Sequence, residues 1–392
     1  MKYCRIKPLS RRRLLIFALC VSLLAPLLIL PVSADEAVPA MTLDCASAVL
    51  MEASTGTVLF EQNPDLLCPP ASITKIMTLL LVMEAIEEGK LKMDDMVTAG
   101  AHAASMGGSQ IYLKEGERMT VEDLIKSVVI SSANDAALAL AEHISGTEEA
   151  FVQQMNEKAA ELGMKNTHFE NTNGLDDTVT NHMTTARDVA IMSRALMEHK
   201  LILQYSSIWM DTIREGAFGL TNTNRLIRFY PGATGLKTGS TSKAKFCISA
   251  TAERNGMSLI CVIMGAPTRD IRNEEAKKLL DFGFSTYEVY TAPQQTYNPI
   301  GITGGVRDLC TVEQMPFRCV IPKGSADSIE ITCEMPESIS APVGAGQCVG
   351  RISYRIGDKL LGQSEIITTE TVEKIRFSGL FVRMLRYFAG KY

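Results

Sequence analysis

The chain has 392 residues, of which 46% are hydrophobic and 21% charged, with a formal net charge of -5. That length and apolar content suit a large catalytic domain plus a smaller one, and the mild acidity argues against a nucleic-acid-binding protein. Only five histidines occur, none in a His-Glu-x-x-His spacing, so a zinc-hydrolase helix is excluded.

The N-terminus reads as a secretory signal over residues 1–34. Lys2, Arg5, Lys7, Arg11, Arg12 and Arg13 form a basic region, and Leu14 to Leu30 is an apolar run. Val32-Ser33-Ala34 then offers the small residues a signal peptidase inspects, with Asp35 first in the mature chain. An uncleaved anchor is the alternative, but Pro26 and Pro31 interrupt a run already near the lower limit for spanning a bilayer. Export permits disulfides. Ten cysteines are present and eight follow the cut. One or two bridges are expected among Cys310, Cys319, Cys333 and Cys348, whereas Cys247 and Cys261 lie in apolar runs that suit buried thiols.

From residue 48 to 60 the pattern is a strand, a Ser-Thr-Gly turn and a second strand. Cys68-Pro-Pro-Ala71 is a rigid entry to a helix over Ile73 to Glu88, marked by Ile76, Leu79, Leu80, Met83 and Ile86 at helical spacing. Ser72 therefore falls at a helix N-terminus, where free N–H groups favour developing negative charge. Residues 120–200 read as mostly helical, with a capping box at Thr120-Val-Glu-Asp123 and an amphipathic stretch over Phe151 to Leu162. Phe246 to Thr251 and Leu259 to Met264 flank an Arg254-Asn-Gly256 turn, a hairpin signature. Strands, a helical block and strands again predict an α+β domain whose antiparallel sheet joins both ends. Its expected range is 35–290.

Residues 291–369 show short strand-like runs and predict a small all-β domain. Residues 370–392 differ again. Phe377, Leu380, Phe381, Met384, Leu385 and Phe388 form an apolar stripe, and Lys374, Arg376, Arg383, Arg386 and Lys391 supply positive charge. A basic amphipathic helix of this kind suits an anionic membrane surface, the alternative being a helix packed on the protein itself.

Three short motifs carry the chemistry: Ser72-Ile-Thr-Lys75, Ser132-Ala-Asn134 and Lys237-Thr-Gly239. Alone each is common, a cap or a turn as readily as a site. In this order they describe a serine activated by a lysine, the chemistry of enzymes acylated by D-amino-acid peptides or β-lactams. A lysine takes the serine proton only when neutral, and burial or a second cation lowers its pKa. Lys237 is a candidate for that second cation. Gly239 lets a ligand lie close against a strand.

With Pro70-Ala-Ser-Ile-Thr-Lys-Ile-Met-Thr78, Gly108-Ser-Gln-Ile-Tyr-Leu113, Asn173-Gly-Leu175 and His182-Met-Thr-Thr-Ala-Arg-Asp188, the chain resembles the low-molecular-mass penicillin-binding proteins that act as D-alanyl-D-alanine carboxypeptidases. The resemblance spans residues 48–288, and the β-domain and tail fit it. It implies a β-lactamase/transpeptidase-like fold, peptidoglycan stem peptides and β-lactams as partners, no cofactor or metal, and action at the outer face of the bacterial membrane. It assigns Ser72 as nucleophile, Lys75 as general base and Ser132 as proton relay. Asn134 would hold Lys75 and the substrate amide, and Lys237 with Thr238 the terminal carboxylate. The backbone N–H groups of Ser72 and of Ser240, just after Gly239, would form the oxyanion hole.

Two positions depart from the family pattern: Lys245 replaces a usual glycine, and Thr234 stands where an acid is common. Three rival functions compete with this reading, and a Ser-His-Asp hydrolase is set aside because none of the five histidines has a Gly-x-Ser-x-Gly partner. A class A β-lactamase needs a Glu-x-x-Leu-Asn segment between Asn134 and Lys237, which the chain lacks. A muropeptide or β-lactam binder without turnover would not need all three motifs. His182 is expected to support the helical region.

Overall fold

The computed structural model describes residues 41–177 and 179–389, so the expected signal segment lies outside the described residues. The first strands, β1 (Ser47–Glu52) and β2 (Val58–Gln62), form the expected hairpin. Two small hairpins, β3 (Met96–Thr98) with β4 (Arg118–Thr120) and β5 (Met210–Ile213) with β6 (Phe218–Thr221), lie in the chain between β2 and the long strands. Those are β7 (Ala233–Thr241), β8 (Lys245–Arg254) and β9 (Met257–Ala266). The five make one antiparallel sheet in the order β2-β1-β9-β8-β7, so both ends of the domain share a sheet and β7 is an edge.

The helices are α1 (Lys75–Glu87), α2 (Val121–Ile130), α3 (Asn134–Ser145), α4 (Glu148–Glu161), α5 (Ala186–Glu198), α6 (Lys200–Ser206) and α7 (Arg269–Thr286), besides two of four residues each. Helix α1 is buried on every side from Lys75 to Met83. A helix apolar all round belongs in a core, and each buried Leu, Ile or Met side chain contributes roughly 1.5–3 kcal/mol. The Ser72 segment is thus tied to a deeply packed helix. At α2, Thr120 Oγ1 accepts from Asp123 N at 3.2 Å, as the capping box predicts.

The stretch 120–200 is mostly helical, as expected, but the described residues between Leu162 and Thr185 form no helix. Asn171 Oδ1 accepts from Gly174 N at 2.7 Å and Asn173 Oδ1 from Leu175 N at 2.9 Å. Such local side-chain bonds offer the backbone an alternative to a helix.

After α7 the chain becomes all-β. β10 (Tyr287–Thr291) pairs with β14 (Arg318–Pro322); β11 (Ile300–Thr303) lies between β12 (Leu309–Cys310) and β16 (Ser338–Ser340); and β13 (Val312–Gln314), β18 (Lys359–Thr368), β17 (Cys348–Ile356) and β15 (Glu330–Glu334) form a four-stranded sheet. Ile300, Ile302, Ile352, Tyr354, Ile366 and Val372 belong to a core of its own. The expected bridges among Cys310, Cys319, Cys333 and Cys348 do not form: all four are free thiols, on strands β12, β14, β15 and β17. Cys333 and Cys348 stand opposite Ile352 and Ile367 rather than each other. Helix α8 (Phe377–Phe388) ends the described chain with no buried residue. No helix among the described residues is long and apolar enough to cross a membrane.

Candidate active site

Ser72 lies in a single 3-10 turn, Ala71–Thr74, that runs directly into α1. In that tighter winding residues i and i+3 eclipse, which stacks Lys75 over Ser72. Lys75 Nζ sits 2.9 Å from Ser72 Oγ, 2.6 Å from Asn134 Oδ1 and 2.8 Å from the Asn173 carbonyl. Its side chain is fully buried. Burial first, then the Lys237 ammonium, push its pKa well below the ordinary lysine value, with Asp135 pulling the other way. A lysine so depressed can hold a neutral amine beside the serine hydroxyl.

The second motif occupies the short link between α2 and α3. Ser132 has φ +63°, and Lys237 Nζ donates to its Oγ at 2.8 Å. Asn134 opens α3, and its Nδ2 donates to the Gly107 carbonyl at 2.7 Å. Lys237, from the edge strand β7, also donates to the Thr238 carbonyl at 2.9 Å. Burial and the neighbouring Arg272 lower its pKa to about 7. Thr238 Oγ1 donates to Thr223 Oγ1 at 2.7 Å. A Cβ on Gly239 would stand 2.9 Å from the Pro70 carbonyl and 3.0 Å from Ser72 N, so only glycine lets β7 lie this close to the Ser72 turn.

The structure thus gathers all eight residues singled out in the sequence. Ser72, Ser132, Thr238, Gly239 and Ser240 line one cleft, while Lys75, Asn134 and Lys237 lie beneath it, buried. Thr234 is not part of the cleft lining: its Oγ1 pairs with Thr251 Oγ1 at 2.8 Å. Sequence reading missed three features. Arg272 of α7 lines the cleft, buried, with Nε and Nη2 on Asn273 Oδ1 and Nη1 on the Cys247 carbonyl. It forms no ion pair with a carboxylate among the described residues, and burial lowers its pKa to about 10. Its signal was hidden because it lies 35 positions past Lys237 in an ordinary helix. Asn173, in the Asn173-Gly-Leu175 segment that carries the resemblance, contributes a backbone carbonyl, a role no side-chain motif encodes. Glu148 accepts from Thr172 N and Oγ1, at 2.9 and 2.8 Å, and so fixes the residue before it.

His182 is buried and structural, and its contact is the turn that leads into helix α1. It belongs to the 162–185 loop, and Glu170 N donates to its Nδ1 at 2.9 Å. The proton of the neutral ring is then on Nε2, which donates to Thr74 Oγ1 at 2.8 Å, and Thr74 in turn donates to the Ala71 carbonyl at 2.8 Å. Ala71 has φ +47°, so this chain of bonds secures the strained turn that presents Ser72. Burial lowers the His182 pKa to about 4. Among the described residues no group of three or more His, Cys, Asp or Glu is placed to hold a metal.

A family model described as D-alanyl-D-alanine carboxypeptidase matches residues 33–268, and one described as penicillin-binding protein 5, C-terminal domain, matches residues 284–374. The D-alanyl-D-alanine carboxypeptidase DacF of Bacillus subtilis is 43% identical over 85% of this chain and 87% of its own length. DacC of Escherichia coli is 35% identical over 88% and 89%. Among solved structures, penicillin binding protein 5 from Haemophilus influenzae superposes with a TM-score of 0.76 at 32% identity, covering 85% of this chain and 99% of its own. The ampicillin-bound form of penicillin-binding protein D2 from Listeria monocytogenes gives 0.58 at 32%, covering 63% and 100%.

Proposed function

The chain belongs to the D-alanyl-D-alanine carboxypeptidase family of serine peptidases, and we propose that Ser72 is the residue that carries the acyl group. It is a penicillin-binding carboxypeptidase of the cell wall, with a transpeptidase-like catalytic fold followed by an all-β domain. Family membership sets aside the β-lactamase and binding-only alternatives. The observation that carries the residue assignment is the buried Lys75 amine, 2.9 Å from Ser72 Oγ with its pKa depressed.

Ser72 Oγ attacks the carbonyl between the two terminal D-alanines while neutral Lys75 takes its proton. The N–H groups of Ser72 and Ser240 receive the oxyanion. The C–N bond then breaks, and the proton held by Lys75 passes through the Ser132 hydroxyl to the leaving amine. Water attacks the acyl carbonyl, Lys75 again takes a proton and returns it to Ser72 Oγ as the ester bond breaks, and the shortened peptide departs. Asn134 holds Lys75 in place. Lys237, Thr238 and Arg272 face the free carboxylate of the substrate, and that charge match accounts for cleavage at a chain end.

The proposed division assigns residues 1–34 to export, 35–290 to catalysis and 291–369 to the β-domain, which extends through the bridged Val372 and Lys374, so that of the expected tail 370–392 the part from Phe377 onward is the helix on the outer face of the membrane. The separate β-domain core and the unburied apolar stripe of α8 support it.

The direct test incubates the protein with a fluorescent penicillin and maps the labelled peptide, alongside D-alanine release from a D-Ala-D-Ala peptide. Label on Ser72 is expected, and label on another residue would overturn the assignment.

A further inference from the structure

Lys245 opens β8 and closes the three-residue turn Ser242-Lys243-Ala244 from β7. Its φ is +57°, the left-handed corner that a three-residue hairpin requires and that glycine adopts freely. A lysine there strains the turn, and strain retained opposite Thr241, the residue after the cleft-lining Ser240, points to a use for the side chain.

Register gives the direction of that side chain. Opposed residues of an antiparallel pair share a face, and the pairs here are Lys237↔Ser249, Gly239↔Cys247 and Thr241↔Lys245. Lys237 reaches Ser132, and a Cβ on Gly239 would meet Ser72 N. Lys245 is therefore on the face of the sheet that carries the site, two pairs beyond Gly239, or about 7 Å along the strand.

Substrate direction follows from the proposed residue roles, on which this inference rests. The terminal carboxylate lies by Lys237, Thr238 and Arg272, and the scissile carbonyl by Ser240. The stem residue before the D-alanine pair then passes Thr241 and the turn.

The charges at that end are mixed. Thr241 Oγ1 donates to Asp176 Oδ2 at 2.5 Å, Lys243 Nζ donates to the Asp176 carbonyl at 2.7 Å, and Asp177 follows on the same loop. Lys245 is exposed and has no hydrogen bond or ion pair among the described residues. A side chain ending in both an ammonium and a carboxylate matches a rim with Asp176 on one side and the unpaired Lys245 on the other.

We propose that Lys245 is a specificity residue that reads a side-chain carboxylate on the stem residue preceding the D-alanine pair. The preferred substrate class is a stem with a diamino dicarboxylic acid there, over one with lysine, which keeps the ammonium and lacks the carboxylate.

The test compares kcat/KM for D-alanine release from two peptides, X-D-Ala-D-Ala, with X either lysine or the diamino dicarboxylic acid. An exposed ion pair of this kind corresponds to a preference of up to about fivefold. Lys245→Gly is expected to bring the ratio near one and Lys245→Glu to invert it. Lys245→Gly is also expected to melt higher, by roughly 2 °C, because the turn is relieved. Release with the same ratio in Lys245→Gly as in the unaltered protein overturns the subsite alone. A lower melting temperature overturns the strain argument. Failure of the unaltered protein to release D-alanine from either peptide overturns the carboxypeptidase reading and the subsite with it.

Discussion

Lys237 Nζ donates to Ser132 Oγ at 2.8 Å from a position as deeply buried as that of Lys75. One bond thus connects the third motif to the second, while the charge on Lys237 disfavours a proton on Lys75. Replacing Lys237 by Gln removes that cation, so the Lys75 pKa should rise. With Lys75 as the proposed base, acylation needs it neutral, and the rate grows as pH rises through that pKa. The acid limb of the penicillin acylation rate is therefore expected to move to higher pH in Lys237→Gln. Lys237 itself titrates at about 7, so the two proteins should differ most below that pH, where the ammonium is charged. An unmoved limb would remove Lys237 from the control of Lys75.

Arg272 has no carboxylate partner among the described residues, and its guanidinium lines the cleft beside Thr238. A buried cation is costly unless a counter-ion arrives, and the substrate carries one. Truncation to Ala should lower kcat/KM for a peptide with a free C-terminal carboxylate by roughly 10- to 100-fold, the range for a lost charge-assisted hydrogen bond. The same peptide with an amidated C-terminus should be much less affected. Equal losses on both would mean that Arg272 serves only the packing of α7.

The motif residues were legible because their chemistry is encoded in side chains at short, fixed spacings. Ser72 and Lys75 are one turn apart, and Gly239 declares a close approach by lacking a side chain. The sheet was legible from the Asn255-Gly256 turn, both of whose residues have positive φ. What stayed hidden is long-range or backbone in kind. Arg272 reaches the cleft only because α7 packs against β8 and β9, and Asn173 acts through a carbonyl that every residue possesses. The break in the helical block around Asn171 and Asn173 was not legible because these asparagines satisfy the backbone locally, a competition that apolar periodicity does not register.

His182 gives a pH effect of known sign. Its pKa falls from an ordinary 6.5 to about 4 in the folded protein. Above pH 6.5 the ring is neutral in both folded and unfolded states and its bonds contribute fully. Between 6.5 and 4 the unfolded chain takes up a proton that the folded ring refuses, and stability falls by about 3 kcal/mol from this group. Replacement by Gln keeps a donor for Thr74 and an acceptor for Glu170 N but cannot titrate. Unfolding free energies of Lys237-intact protein carrying His182→Gln should decline less across that window, and His182→Ala should also slow acylation by loosening the Ala71 turn. Matching slopes in native protein and His182→Gln would show that the ring does not govern acid stability.

The tail allows a clean separation of binding from folding, provided the cut is placed by structure. Val372 is buried and bridges to Val343, and Lys374 bridges to Gly305, so these residues belong to the β-domain. Removal should start at Phe377. Helix α8 buries none of its residues, and Phe377 and Phe388 are 84% and 79% exposed. Arg383 meets Asp308 in an exposed ion pair, which is worth at most about 1 kcal/mol. Deleting residues 377–392 should therefore leave the melting temperature nearly unchanged. Sedimentation with vesicles should show full-length protein on anionic lipid, less on zwitterionic lipid and less at high salt, because basic residues and apolar area act together. The truncated protein should stay in solution with both. Binding that survives the deletion would place the attachment elsewhere, and a large fall in melting temperature would show that α8 packs on the protein after all.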